Sequence, residues 1–277
     1  MGNAMCCDGV GSSKPAGTTS HDARLPACEA VRIMTYNIHH CEDGDGVVSA
    51  EAIARVVNEQ QPDLVALQEV DRNADRTGRV DFVAEFERLT GMTSAFGPNI
   101  DNLDEPQLLG AAGQYGNLLL TKLPLLSHVN TPLTQIEPGG ETRGLQVATV
   151  QLKSGKELTV ANTHLDHRSP EERLHSCPQL QECLSGRGGL TVLCGDFNAG
   201  PDKAEIVELT SWLQDAWVSG GGAGDGLTNY MWEDSAPDER IDYIWHGDGL
   251  RVREVWVPDS GKRESDHLPV EADLEVM

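Results

Sequence analysis

Five short apolar runs in this chain stop abruptly at polar or ionisable residues, and that pattern constrains the fold more than any other feature. MTYN closes on Asn37, DLVALQE on Glu69, and LTVANTHLD on His164 and Asp166. TVLCG leads into Asp196 and Asn198, and Asp266 and His267 stand just before LPVEADL. Runs of this length and composition read as buried strands. Proteins that alternate such strands with helices carry their sites at strand carboxyl ends. If the segments are extended, the two-residue period puts Asn162, His164 and Asp166 on one face, and Asp196 and Asn198 on another.

The rest of the chain supports an α/β reading. Residues 31–38 and 63–70 are apolar strands separated by a helix that Ser49 can cap, with Ile53, Val56 and Val57 on one face. A second helix is expected over 81–90, ended by Gly91. Further strands are expected at 115–121, 142–152, 157–164, 190–194, 240–246, 252–257 and 268–274, with helices near 171–184 and 203–212. Many of these strands follow one another as hairpins, so one or two mixed sheets fit better than a purely parallel one. Residues 98–113 and 219–226 read as loops, the second a flexible surface insertion.

Charge narrows the partners. The 277 residues hold 21 Lys and Arg against 44 Asp and Glu, a formal charge of −23. A duplex-DNA face normally makes a domain basic, so duplex DNA is an unlikely partner, and a small, neutral or metal-held substrate is easier to accommodate. Seven cysteines without CxxC spacing fit neither a disulfide framework nor a zinc site, which implies a reducing, cytoplasmic setting. Residues 1–29 are rich in Gly, Ser, Thr and Ala without apolar periodicity and read as a flexible tail preceding a domain over 30–277. The tail begins MGNAMCC. Gly2, with Cys6 and Cys7, offers a two-chain acyl anchor that would hold the protein to the cytoplasmic face of a membrane, although Cys6 stands where the myristoylation pattern prefers Ser or Thr. The alternative is a free tail.

Gathering this many carboxylates in one place is costly unless protons or a cation compensate. Oxygen ligands without a Cys or multi-His set favour Mg²⁺ or Mn²⁺ over zinc. With such an ion polarising a phosphoryl oxygen, a carboxylate such as Asp196 can orient or deprotonate water, while a histidine stabilises charge or protonates the leaving oxygen. Those roles describe phosphoester hydrolysis. The sequence carries no Gly-rich phosphate loop, GxSxG elbow or dinucleotide fingerprint.

In order, MTYNIHH, ALQEVD, QYGNLLLTKLPL, NTHLDHR, CGDFNAGP, ERIDYIW and ESDHLPV resemble the successive motifs of the endonuclease/exonuclease/phosphatase superfamily, the DNase I-like fold. The resemblance implies a four-layer α/β/β/α sandwich of two mixed sheets flanked by helices, and Mg²⁺-dependent cleavage of a P–O bond by activated water. It places Asn37, Glu69 and Asp266 at the metal, and makes His164, Asp196, Asn198, Asp242 and His267 the catalytic set. Arg143, Asn117 and Asp166 become candidate substrate contacts. His39 stands where some nuclease branches carry a second carboxylate, which leaves the number of metals open. DFNAGP and ERIDY lack the Arg and the Trp-Cys-Asp-Arg of inositol-polyphosphate 5-phosphatases. The expected substrate is a phosphodiester or phosphomonoester, with a small molecule or lipid headgroup favoured. QEVD and SDHLP resemble the deadenylase branch, which keeps single-stranded nucleic acid as the alternative. A non-catalytic, membrane-tethered binding protein is the alternative of another class.

Overall fold

The structure is a computed structural model that describes residues 29–104, 112–136, 138–230, 236–260 and 263–277. Two six-stranded mixed sheets form its centre. The first contains β1 (Ala30–Asn37), β2 (Leu64–Arg72), β3 (Thr93–Ile100), β4 (Gln114–Thr121), β11 (Leu250–Trp256) and β12 (Val270–Val276), in the order β11-β12-β1-β2-β4-β3. The second contains β5 (Leu125–Pro132), β6 (Gly144–Gln151), β7 (Glu157–His164), β8 (Thr191–Asp196), β9 (Gln214–Asp215) and β10 (Asp242–His246), in the order β5-β6-β7-β8-β10-β9. The helices are α1 (Ala50–Gln60), α2 (Phe82–Thr90), α3 (Pro170–Leu184), α4 (Ala204–Leu209) and α5 (Ala216–Ser219). Among the described residues no helix is long and apolar enough to cross a membrane.

Alternating side chains explain the layering. Along β1, Ile33 faces the space between the sheets with Ala66, Val160 and Ile244, while Met34 and Tyr36 face outward onto Ile53, Val57 and Phe86 of α1 and α2. In the second sheet Val160 and Val192 point inward, and Ala161 and Leu193 point outward onto Leu180 of α3 and Ile206 of α4. With both strand faces buried, the sequence shows continuous apolar runs rather than alternation. Each fully buried Ile, Leu or Phe contributes roughly 1.5–3 kcal/mol of transfer free energy. The helices start where side chains can cap them: Ser49 Oγ accepts the Ala52 amide at 3.2 Å, Asp81 that of Ala84 at 3.2 Å, and Ser169 that of Glu172 at 3.1 Å.

Each sheet has one parallel pair at its middle, β1 with β2 and β7 with β8, and its other pairings are antiparallel. Parallel strands end together, and an antiparallel neighbour starts where they end. Asn37, Glu69, His164 and Asp196 therefore meet at one end of the sandwich. Asp242, opposite Asp196 in register, joins them from the start of β10. His267 comes from the segment before β12. Below this end a buried amide network joins the sheets: Gln68 Nε2 donates to Thr35 Oγ1 (3.1 Å) and Asn162 Oδ1 (2.8 Å), and Asn162 Nδ2 donates to the Leu67 carbonyl (2.9 Å).

Several elements differ from the sequence reading. β3 and β5 were not expected as strands. They are the outer edges of the two sheets, so their sequences TSAFGPNI and LLSHVNTP need no buried face, and Pro98 is tolerated there. The loop expected over 98–113 thus begins as strand, and its residues 105–111 lie outside the described residues. The helix expected over 203–212 is short, Ala204–Leu209. Residues 219–226 are not a loose insertion. Gly222 and Gly226 pack so closely on the Trp217 ring that a Cβ at either would come within 2.5 or 2.6 Å of it, and Trp217 Nε1 donates to the Gly224 carbonyl. The tail expectation, with Gly2, Cys6 and Cys7, falls outside the described residues. Cys41, Cys177, Cys183 and Cys194 are free thiols.

Candidate active site

At the polar end of the sandwich lies a pocket of about 410 Å³ whose wall includes Glu69, Arg143, His164, Asp196, Asn198, Asp266 and His267. Local backbone geometry aims these groups. A bulge in the β2–β4 pairing between Leu67 and Val70 leaves Glu69 at φ +60°, turning its carboxylate toward the pocket. Gly195 has φ +147°, and a Cβ there would lie 2.0 Å from the Thr163 carbonyl, so only glycine lets β8 run this close to β7 just before Asp196.

Asp196 is the hub. Its Oδ1 accepts the Asn198 backbone amide at 2.8 Å, and its Oδ2 accepts Asn37 Nδ2 at 2.9 Å. His164 Nε2 and His267 Nε2 lie 3.5 and 3.7 Å from the same Oδ2. Burial, reinforced by the nearby Asp242 carboxylate, raises the proton affinity of Asp196, against the opposing pull of His267, Asn37 and the Asn198 amide. Asp242 Oδ2 holds His267 Nδ1 at 2.8 Å and accepts Thr228 Oγ1 at 2.6 Å. Burial alone would lower the pKa of His267, but Asp242 and Asp196 reverse this and push it up to about 10, so the ring is an imidazolium at neutral pH. The Asn229 side-chain amide lies 3.1 Å from His267 Nε2.

His164 has the opposite state. A guanidinium has no acceptor, so Arg143 Nη1, 2.9 Å from His164 Nδ1, must donate to it. Nδ1 is then unprotonated and Nε2 carries the hydrogen that faces Asp196 and the pocket. Burial and the Arg143 charge both hold the pKa of this ring well below its ordinary value. Arg143 also contacts His167 Nδ1 at 3.1 Å and forms an ion pair with Glu141 at 2.8 Å. Burial would raise the Glu69 carboxyl, but His40, whose Nδ1 lies 3.8 Å away, the Asn37 amide and the His267 charge hold it well below the usual carboxylate range.

The donor set suits a hard divalent cation. Glu69, Asp196 and Asp266 bring three carboxylates to one pocket, and among the described residues no cysteine or lysine is on its wall. Glu69 and Asp266 are the residues that would hold such an ion, which supplies Lewis-acid polarisation of a phosphoryl oxygen. Asn37, expected at the metal, presents its amide nitrogen to Glu69 Oε1 (3.1 Å) and Asp196, and its Oδ1 accepts the His39 amide, so it braces the carboxylates. Asp196, Asp242 and His267 have ligand atoms within 4.8 Å of one another, but their hydrogen bonding is that of a proton-sharing triad.

Two expected substrate contacts stand apart from the pocket wall. Asn117 is buried beneath it, its Nδ2 directed at the Asn162 carbonyl at 3.4 Å. Asp166 lies beyond the end of β7, where the chain turns, and its Oδ1 accepts the Arg168 and Ser169 amides at 2.8 and 2.7 Å to start α3. Asp43 likewise closes its own turn, accepting the Asp45 and Val47 amides. His39 and His40 do reach the pocket, from a turn in which both have left-handed backbone. The sequence reading missed Arg76, Thr228 and Asn229. The signal for Arg76 was a lone cation in the turn after QEVD; Thr228 and Asn229 lie in an irregular segment with no periodicity to mark them.

A buried Asp and His thus stand around a central carboxylate at the joint carboxyl ends of two packed sheets. The family model described as Endonuclease/Exonuclease/phosphatase family matches residues 34–267, and the chain belongs to that family. Its members are phosphoesterases and nucleases. The chain is 30% identical over 203 residues to mouse Nocturnin, covering 67% of this chain and 46% of that protein. It is 23% identical over 234 residues to the 5′-tyrosyl-DNA phosphodiesterase of Caenorhabditis elegans, covering 82% and 57%. It therefore spans about half the length of these curated relatives. A crystal structure of an endonuclease/exonuclease/phosphatase protein from Beutenbergia cavernae superposes with a TM-score of 0.75 at 28% identity, covering 89% of this chain and 72% of that one.

Proposed function

We propose that the protein is a Mg²⁺- or Mn²⁺-dependent hydrolase of small phosphate esters. The observation that carries this is the placement of Asp196 between two histidines, His267 held by the Asp242 carboxylate and His164 by the Arg143 guanidinium. Water attacking the phosphorus gives its proton to Asp196, whose raised affinity suits it to act as base, while the Asn198 backbone amide fixes its other oxygen; the ester P–O bond breaks and the leaving oxygen takes a proton from solvent. His267, kept cationic by Asp242, offsets the charge that grows on the phosphoryl oxygens. His164 donates its Nε2 hydrogen to the same group, its ring held by Arg143.

A pocket of about 410 Å³ suits a small molecule. The reading includes a lipid headgroup, to which an acyl anchor at Gly2, Cys6 and Cys7 would bring the protein. Gly2→Ala should then release the protein from membranes, and an unchanged membrane fraction would refute the anchor. The QEVD and SDHLP motifs and the similarity to a 5′-tyrosyl-DNA phosphodiesterase support hydrolysis of single-stranded nucleic acid as the second reading. Comparing phosphate release from small esters with shortening of a single-stranded oligoribonucleotide separates the two. Turnover of the oligonucleotide alone would overturn the small-ester reading.

A further inference from the structure

Among the described residues Arg76 is the one arginine lining the pocket on the first sheet's side, and no step of the chemistry above uses it. It stands in the turn after β2 and folds back over that strand. Its Nε and Nη2 each lie 2.7 Å from one oxygen of Asp71, which is fully buried and also accepts Thr77 Oγ1 at 3.2 Å. Asp71 faces Tyr115 across the β2–β4 register, and the Arg76 guanidinium sits over the Tyr115 ring at 5.2 Å. The carboxylate thus takes the side edge of the fork and the ring takes its face. The end edge, Nη1 with the outer hydrogen of Nη2, remains for another partner. The Arg76 side chain is 43% exposed whereas Asp71 is 0%, and Arg76 and Tyr115 line the pocket with the apolar Ile100 and Leu103. A pair built this way turns its positive side to the cavity. Arg143 and His164 occupy the other wall, on the second sheet.

We propose that Arg76 is a second oxyanion-binding position in this pocket, so that the preferred substrate is a small phosphate ester bearing another anionic group beyond the phosphate that is cleaved. This rests on the small-ester reading above. The scissile phosphate lies among Asp196, His267, His164 and Arg143, and the remainder of the substrate crosses Tyr115 to reach the free edge of Arg76. Asp71 is the positioning residue, because it fixes the plane of the fork and leaves its end edge unpaired.

Binding of butane-1,4-diol bisphosphate and of butyl phosphate, measured by calorimetry in MgCl₂ with the full chain carrying Asp196→Ala, tests the proposal without turnover. The bisphosphate should bind roughly 10- to 100-fold more tightly than the monophosphate, the effect of one charge-assisted fork. Arg76→Ala on the same background should erase that difference and leave butyl phosphate within about twofold. Because Arg76→Ala leaves a buried carboxylate unpaired, the double variant Asp71→Asn/Arg76→Gln provides a neutral pair that keeps the fold and should behave alike. Arg76→Lys, which keeps charge but not the fork, should restore only part of the preference. Equal binding of both ligands before mutation, or equal weakening of both by the double variant, would overturn the proposal. Failure of the unmutated protein to hydrolyse any small ester would count against the phosphoesterase reading alone, since the preference is read in a protein that lacks Asp196.

Discussion

Glu271 gives the sharpest energetic prediction. It lies on β12, between Met34 of β1 and Trp256 of β11 in register, fully buried, and neither carboxylate oxygen has a hydrogen-bond partner among the described residues. Arg32, the cation that acts on it, is engaged by both oxygens of Asp273 at 2.7 and 2.9 Å. Burial pushes the carboxyl from its ordinary 4.5 up to about 8, with Arg32 opposing and Asp273 assisting. In this acid the folded-state pKa is the higher one. Its contribution to stability is therefore complete below pH 4.5 and is lost as pH rises through about 8. Across that window the folded protein holds a proton that the unfolded chain has released, so stability falls by roughly 1.4 kcal/mol per pH unit, about 5 kcal/mol in all. Glu271→Gln is neutral at every pH and removes this dependence. Urea unfolding of both proteins, followed by tryptophan fluorescence at pH 5, 6, 7 and 8, should show the variant gaining on the parent by about 4 kcal/mol between pH 5 and 8. Burial of the amide adds an offset that does not change with pH, so the slope carries the result. Stability curves that run parallel would refute the reasoning.

Three further outcomes follow from the site and its supports. Asp242→Asn removes the anion that keeps His267 protonated, so the His267 pKa should fall from about 10 toward 6.5, read by ¹⁵N chemical shifts of the ring, and the alkaline limb of the rate profile should move down with it. Asn162→Ala removes an acceptor from Gln68 and a donor from the Leu67 carbonyl between the sheets, and should cost roughly 2–3 kcal/mol in urea unfolding. Gly195→Ala places a Cβ against the Thr163 carbonyl, and loss of the cooperative unfolding transition is the expected result.

What the sequence made legible was set by cost. Buried polar groups at the ends of apolar runs are expensive, so Glu69, His164, Asp196 and His267 stood out, and the structure brings them to one pocket. The buried strands were legible for a related reason, since burial on both faces leaves continuous apolar runs, whereas the doubled sheet came from the family resemblance. The edge strands β3 and β5 carry no such burden and passed as loop. Two-residue periodicity was informative only within strands. It grouped Asp166 with His164, but the chain turns just after His164 and Asp166 is spent on the amides of the turn before α3. It could not foresee the bulge that turns Glu69 toward the pocket. Arg76 depends on Asp71 and Tyr115 being cross-strand neighbours, a fact of register that a linear reading does not contain.

In the proposed reaction Asp196 serves as the base of a metal-dependent phosphoesterase. Hydrolysis of p-nitrophenyl phosphate and bis-p-nitrophenyl phosphate, with Mg²⁺, with Mn²⁺ and after chelation, in the parent and in Asp196→Asn, tests it most directly. Turnover of at least one ester that needs the ion and falls by two or more orders of magnitude in the variant is the predicted result. Turnover that survives either chelation or loss of the carboxylate would contradict the account.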